Sequence, residues 1–537
     1  MSFVKNNNQQ LTLLDSTFNL TEREKRMLEK SWAKTFADKV FPAIDENIFS
    51  VLYSEKASRP NTPVNVIVGA LILKEALNVT DDEIVEALAF DIRYQYALHT
   101  TSFKEQPISD RTLSRFRARV LSYETEHEVD LIHECIVKMA KEIADFMNIT
   151  PDRQRMDSLM VAANIRNLSL LELFYTCVAN LCKIMDERGT IIPEAQHHYI
   201  EKDDYNKCIY HKRDMDATER TIVVMNDADA LIKICDSTGD FDDTSEYQLL
   251  IRLLKERTII DDDGSRRLRQ KTEVENPSEV LLNPSDPEAT FRYKAGGKHL
   301  GYVGNVVESV GENGSLITDY DYQQNTYADN QFMKDYLGNQ DNFSDDSFLV
   351  ADGAYSGEEN SRLAAEHNLK LVTTNFTGKK PDEIYADFVF TEDGHYLLKC
   401  KNGCTPEECK YDALNDRSNA YFKFCECNNC PYKDRCNPRF LKSRVLKEVS
   451  WKSVGRAKQL QYMQTTEFSE YARFRNGVEA IPSLLRRKYH VDKIPVHGKN
   501  RTRLFFGFKI AALDFQKLLD YSNGLNKYTQ NEEIAQK

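Results

Sequence analysis

The 537-residue sequence contains no run of about 18 apolar residues, so it offers no helix that could cross a bilayer. Its start, Met1-Ser2-Phe3-Val4-Lys5-Asn6-Asn7-Asn8, lacks the apolar core of a secretory signal, and the expected setting is the cytoplasm with no membrane partner. Internal repeats and long low-complexity tracts are absent, which argues against repeat architectures. Ala295-Gly296-Gly297-Lys298-His299 has neither the upstream glycine nor the Ser/Thr of a phosphate-cradling loop, so no nucleotide energy source is implied. His127-Glu128 is followed by His133 instead of a histidine at zincin spacing. Gly-x-Ser-x-Gly is missing, and no histidine stands beside an obvious nucleophile.

What is present describes an ordinary globular protein: 41% hydrophobic and 29% charged residues, in a chain long enough for two or three domains or for one domain with large insertions. Twelve cysteines in a chain without an export signal are expected to stay reduced, with any tight cluster binding metal. The net charge of −13 is unevenly spread. Residues 201–290 hold 22 Asp and Glu against 13 Lys and Arg, whereas residues 437–510 hold 5 against 17. A stretch that basic suits phosphate contact, because each neutralised phosphate releases a counterion. A solvated helical face is the plainer alternative.

Residues 62–146 read as mainly helical. Val64, Ile67, Val68, Leu71 and Ile72 recur at helical spacing, and Thr80-Asp81-Asp82-Glu83 has the form of a cap for the next helix. Further on, Leu113, Phe116 and Val120 share one face and Arg111, Arg115 and Arg119 another. Such an arginine stripe either lies along a DNA groove, as recognition helices do, or is simply solvated. From about residue 150 short strand-like runs alternate with helices and polar loops, the pattern of an α/β or α+β core. Candidate strands are 153–161, 299–307, 315–320, 347–352 and 370–374, with a helix at 358–367. The apolar-rich segment 501–519, with Phe505, Phe508, Ala512 and Phe515, reads as a core helix.

Two aspartates stand at or near the ends of expected strands: Asp157 after Arg155-Met156, and Asp352 after Phe348-Leu349-Val350-Ala351. A carboxylate in that position is costly unless paired or metal-bound, and two converging on one crevice make a hard oxygen site suited to magnesium. Singly, Asp352 could instead cap the turn at Gly353. A third acid, Glu479, follows Arg475 by four residues and precedes Arg486 by seven, so a helix would put all three near one face. Asn476-Gly477 and Pro482 favour a bend or a helix start near 477. A plain intrahelical Arg–Glu pair is the alternative.

These residues resemble the DDE transposases of bacterial insertion sequences, especially the group whose last motif reads Tyr-x2-Arg-x3-Glu-x6-Lys/Arg. The match runs through the helical region 60–120, Asp157-Ser158 with Ala163-Asn164, Asp352-Gly353-Ala354-Tyr355, and Arg475-x3-Glu479-x6-Arg486. The family tyrosine would fall at Ala472; Tyr471 is one residue early and receives no role. The resemblance implies an α/β fold: a ribonuclease H-like mixed sheet core with a helical N-terminal domain and two large insertions. In it Asp157, Asp352 and Glu479 bind two Mg2+ ions, with Mn2+ as a substitute. Asp157 bridges both ions, and Asp352 and Glu479 complete one site each. Arg475 and Arg486 hold phosphates, as would Arg111, Arg115 and Arg119 on the N-terminal helix. Water would cut double-stranded DNA at the element ends, and the freed 3′-hydroxyl would attack target DNA. A homodimer or higher oligomer on DNA is expected, since two ends must meet. A catalytically inactive DNA-binding descendant and a nuclease that cuts without joining are the rival functions.

The division this implies is a DNA-binding domain at 1–146, core segments at 147–165, 291–380 and 471–522, and a flexible tail at 523–537. A mostly helical acidic insertion occupies 166–290, and a Cys-rich one 381–470. Within the latter, Cys400, Cys404, Cys409, Cys425, Cys427, Cys430 and Cys436 crowd together. Cys404, Cys409, Cys427 and Cys430 form the candidate set for a structural Zn2+ ion; reduced thiols without metal are the other reading.

Overall fold

A computed structural model describes residues 1–6, 15–54, 56, 58–211, 215–262, 264–294, 296–376 and 378–525. Ala295 and most of the expected 523–537 tail lie outside the described residues. The chain is mixed α/β and forms two compact units. The first comprises 1–150, 158–327 and 481–537; the second comprises 151–157 and 328–480. Strand β1 (Arg153–Ala162) contributes its first half to the second unit and its second half to the first.

In the first unit the N-terminal region is helical. Helix Val64–Leu77 is apolar on all sides, with Val66, Ile67, Val68, Leu71, Ile72 and Leu73 all buried, and such a helix is stable only inside a core. Its partner is the last helix, Lys499–Ser522, as apolar as the sequence led one to expect. A buried Lys509–Glu75 ion pair at 2.5 Å joins the two. Thr80 caps helix Asp81–Phe90 in a capping box with Glu83, satisfying backbone donors that would otherwise be orphaned. Helix Asp110–His127 seats Leu113, Phe116 and Val120 in the interior.

The same unit holds β2 (Thr290–Lys294), β3 (Gly297–Gly311) and β4 (Gly314–Gln324), paired antiparallel with β3 in the middle. The far edge of β3 lies beside β1, where Ala163 N–H donates to the Leu300 carbonyl at 3.0 Å. The last helix fits this sheet through two glycines. Gly304 leaves room for the Phe506 ring, and Gly507 leaves room for Tyr320. Between β1 and β2, helices Leu170–Glu187, Ala217–Thr238 and Ser245–Arg257 enclose a core of their own built on Phe174, Leu181, Met225, Leu231, Leu250 and Leu253.

The second unit is built on three parallel strands: the start of β1, β5 (Phe348–Ala351) and β6 (Lys370–Thr373). Helix Asp329–Gly338 covers one face, and its Tyr336 hydroxyl donates to the Gln154 side chain at 3.0 Å. Helix Thr466–Asn476 covers the other, packing Phe468 on Val350 and Val372. Residues 381–470 add a four-stranded antiparallel sheet of β7 (Glu408–Asp412), β8 (Arg417–Lys423), β9 (Arg439–Phe440) and β10 (Arg444–Val449), in the order β7-β8-β10-β9.

Candidate active site

Strand register decides where the first two acids stand. In the parallel pair of β1 and β5, Arg153 lies opposite Phe348, Gln154 opposite Leu349 and Arg155 opposite Val350. Carried on by two residues, the same register sets Asp157 level with Asp352, just past the carboxyl end of β5. Side chains alternate along a strand, so Asp157 shares a face with Arg155, and Asp352 with Val350. That is the face covered by helix Thr466–Asn476, which leads directly into Glu479. The acids that sequence spacing scattered over 323 positions (157 to 479) thus belong to one unit and one side of its sheet.

The helix is anchored from below by a residue that the sequence did not single out. Arg155 is only 3% exposed; its guanidinium donates to the Phe474 carbonyl at 2.9 Å and lies over the Phe474 ring. The guanidinium runs so close under Gly477 that a Cβ at that position would overlap it. Gly477 has an ordinary φ of −63°, so it is required here for space, not for backbone freedom. The helix ends there as the Asn476-Gly477 pair suggested, giving way to a 3-10 turn, Gly477–Glu479.

Arg475 joins two of the acids. Its guanidinium is 3.8 Å from the Asp157 carboxylate and 3.4 Å from that of Glu479, with the Arg475 side chain 11% exposed and that of Glu479 62% exposed. The buried Nε of Arg475 has no hydrogen-bond partner among the described residues. Asp352 does cap the turn Gly353–Tyr355: its Oδ1 accepts from Gly353 N–H and from the Asn375 amide, both at 2.6 Å, while Oδ2 takes no bond among the described residues. Asn375, just beyond the end of β6, is a further site residue with no signal in the sequence.

The remaining candidates are placed as follows. Arg486 lies in the first unit, pairing with Asp492 at 3.2 Å and donating to the Met160 carbonyl at 2.9 Å. Arg111 and Arg115 are exposed on their helix, and Arg119 lies over the Tyr53 ring. Tyr471 is a packing residue, edge-on to Phe348 with Lys370 above its ring. Beside Asn375 the second unit has a cavity of about 780 Å³ lined by Lys452, Arg456, Lys458, Gln459, Trp451 and Ser356, among others.

Of the thiols, Cys400, Cys404, Cys409, Cys427 and Cys436 pack on one small apolar cluster around Phe388, Leu397 and Phe422. Burial pushes the Cys427 thiol up to about 12, and Cys436, Cys400, Cys430 and Cys404 add to that shift. Cys409 has a different neighbour, its sulfur lying 2.8 Å from the Ser418 hydroxyl on β8. Among the described residues, neither the three acids nor any three of these thiols have their donor atoms all within 4.8 Å of one another.

Comparison with known families gives two matches. Residues 25–119 fit the model of a transposase domain (DUF772), and residues 400–519 fit that of a transposase DDE domain. The second takes in the thiols, Arg475, Glu479 and Arg486, and leaves Asp157 and Asp352 outside it. No curated protein and no solved structure matches the chain.

Proposed function

We propose that the chain is a DDE transposase of an insertion sequence, a reading supported by its two transposase-domain matches, and that it cuts DNA at the element ends and transfers the freed 3′-hydroxyl into target DNA. The observation that carries this reading is the meeting of Asp157 and Asp352 at one level on adjacent parallel strands, with Arg475 linking Asp157 to Glu479. The core is proposed to be ribonuclease H-like, a reading supported by the three parallel strands that begin with β1 and by the antiparallel trio β2, β3 and β4.

Asp157, Asp352 and Glu479 offer only carboxylate oxygens, the donor set of a hard divalent cation, and the unbonded Oδ2 of Asp352 is available to one. When bound there, two Mg2+ ions, or Mn2+ in their place, supply activation of the attacking oxygen and charge neutralisation at the phosphate. Arg475 is the resident positive charge between Asp157 and Glu479, and its unpartnered Nε is a donor suited to a phosphate oxygen. Asn375 and the Gly353 N–H fix the rotamer of Asp352. The cavity lined by Lys452, Arg456 and Lys458 gives a DNA backbone a cationic path beside Asn375. Arg111 and Arg115 offer further phosphate contacts, and Arg486 is retained as a weaker candidate because Asp492 already neutralises it. A structural Zn2+ is proposed for four of the five thiols Cys400, Cys404, Cys427, Cys430 and Cys436, with Cys409 left to its Ser418 neighbour.

Purified protein incubated with magnesium and a supercoiled plasmid carrying the element ends tests this reading. Cut ends that become joined to target DNA are expected. Cutting without joining would leave a nuclease, and binding without cutting a DNA-binding relic; the presence of all three acids argues against the latter.

A further inference from the structure

Far along the chain from these acids, the helical module of residues 166–290 brings together three side chains of metal-binding type. His198 comes from the 3-10 helix Glu194–Ile200, Asp204 from the short helix Asp204–Asn206, and Cys208 from the helical turn Lys207–His211. Their donor atoms all lie within 4.8 Å of one another, and among the described residues no other three of their kind do so. The Asp204 Oδ2 is 2.8 Å from His198 Nδ1 and 3.5 Å from the Cys208 sulfur. A tetrahedral ion with bonds of about 2.0 Å to nitrogen and oxygen and about 2.3 Å to sulfur needs separations of roughly 3.3 to 3.5 Å between its ligands. The Asp204–Cys208 separation already fits such an ion, and the Asp204–His198 separation fits once it widens by about half an ångström.

Charge points the same way. Asp204 is 4% exposed, and a buried carboxylate is costly unless compensated. No lysine or arginine pairs with it among the described residues; its one ionisable cationic partner is His198. The Tyr175 hydroxyl donates to Oδ2 at 2.6 Å, and Tyr199 and Tyr205 wall off the Tyr175 ring. A divalent ion bound by the Asp204 carboxylate, a Cys208 thiolate and a neutral His198 would make the group electrically neutral. Nitrogen, oxygen and sulfur together select a borderline-soft ion such as Zn2+ over Mg2+.

The geometry points to a zinc site at His198, Asp204 and Cys208, with water as the fourth ligand and Tyr175 holding Asp204 from behind. Binding forms Zn–N, Zn–O and Zn–S bonds and releases the Cys208 thiol proton to solvent, together with the imidazole proton where His198 carries one. The ion ties the turns at 194–211 to helix Leu170–Glu187. It shares no residue with the thiols around Cys427 or with the acids of the candidate active site.

The test uses the full-length protein, stripped with chelator and titrated with Zn2+ and with Co2+, which reports thiolate ligation by its near-ultraviolet charge-transfer band. The intact chain is expected to bind one equivalent more than either His198→Gln or Cys208→Ser, with circular dichroism checking that each variant is folded. Tyr175→Phe is expected to keep that equivalent but bind it about 10- to 100-fold more weakly, as loss of a supporting hydrogen bond does. Independently of any variant, Zn2+ is expected to protect Cys208 of the unaltered protein from alkylation, mapped by mass spectrometry. Equal metal content in the intact chain and both folded variants, or Cys208 labelling indifferent to Zn2+, would overturn the site.

Discussion

At the residue scale, the candidate active site depends on a glycine and an arginine that do no chemistry. Arg155 threads between β1 and the helix that leads into Glu479, and only a hydrogen at Gly477 leaves it room. Gly477→Ala forces one of them to move, an overpacking that costs about 1 to 3 kcal/mol. Urea unfolding should show that loss, and DNA cleavage should fall with it; unchanged stability would mean that the guanidinium is not locked in place. Neither Arg155 nor Asn375 was legible in the sequence. Each matters because of a partner far along the chain, Phe474 for one and Asp352 for the other, and no local pattern records such a pairing. Asp157 and Asp352 were singled out because charged residues at the ends of apolar runs are conspicuous, and Glu479 because Arg475 and Arg486 flank it at helical spacing.

Among the elements, the clearest forecasts concerned short apolar strands with polar borders. The strand expected at 347–352 is Phe348–Ala351, and that at 370–374 is Lys370–Thr373. The strand expected at 299–307 extends to Gly297–Gly311, since its partner β4 continues the ladder through polar residues and glycine that carry no strand signal of their own. On helix Asp110–His127, Arg111 and Arg115 are exposed, whereas Arg119 is half-buried over the Tyr53 ring. If this face lies on phosphates, Arg111→Ala and Arg115→Ala should each lower the salt dependence of DNA binding by about one counterion, regardless of sequence. An unchanged slope in fluorescence titrations would return the stripe to mere solvation.

A second element-scale prediction concerns the last helix. Burial pushes the Asp514 carboxyl up to about 7 from an ordinary 3.8, Lys517 opposing and Glu308 assisting. The folded state therefore keeps a proton that the unfolded chain gives up near 3.8, so stability falls as pH rises between those two values. Asp514→Asn retains the oxygen that accepts the Ile317 N–H at 2.9 Å. Thermal melting across about pH 4 to 8 should show a flatter profile for this variant; an equal slope would place the titration elsewhere.

For the molecule as a whole, a net charge of −13 is at odds with the proposed action on DNA only until it is resolved into unlike parts. The acidic helical module carries much of the negative charge, while the basic stretch at 437–510 surrounds Arg475 and Glu479 in sequence. Association with DNA follows where charge sits more than its total. Asp157→Asn, Asp352→Asn and Glu479→Gln change the charge of the acids while keeping their shape, so they separate binding from cutting. The measurement is cleavage and binding of DNA carrying the element ends, in magnesium, by the unaltered protein and these three variants. Each substitution is predicted to abolish cleavage with DNA affinity retained. Cleavage that survives any one of them in a folded protein would contradict the assignment of that acid and the account built on all three.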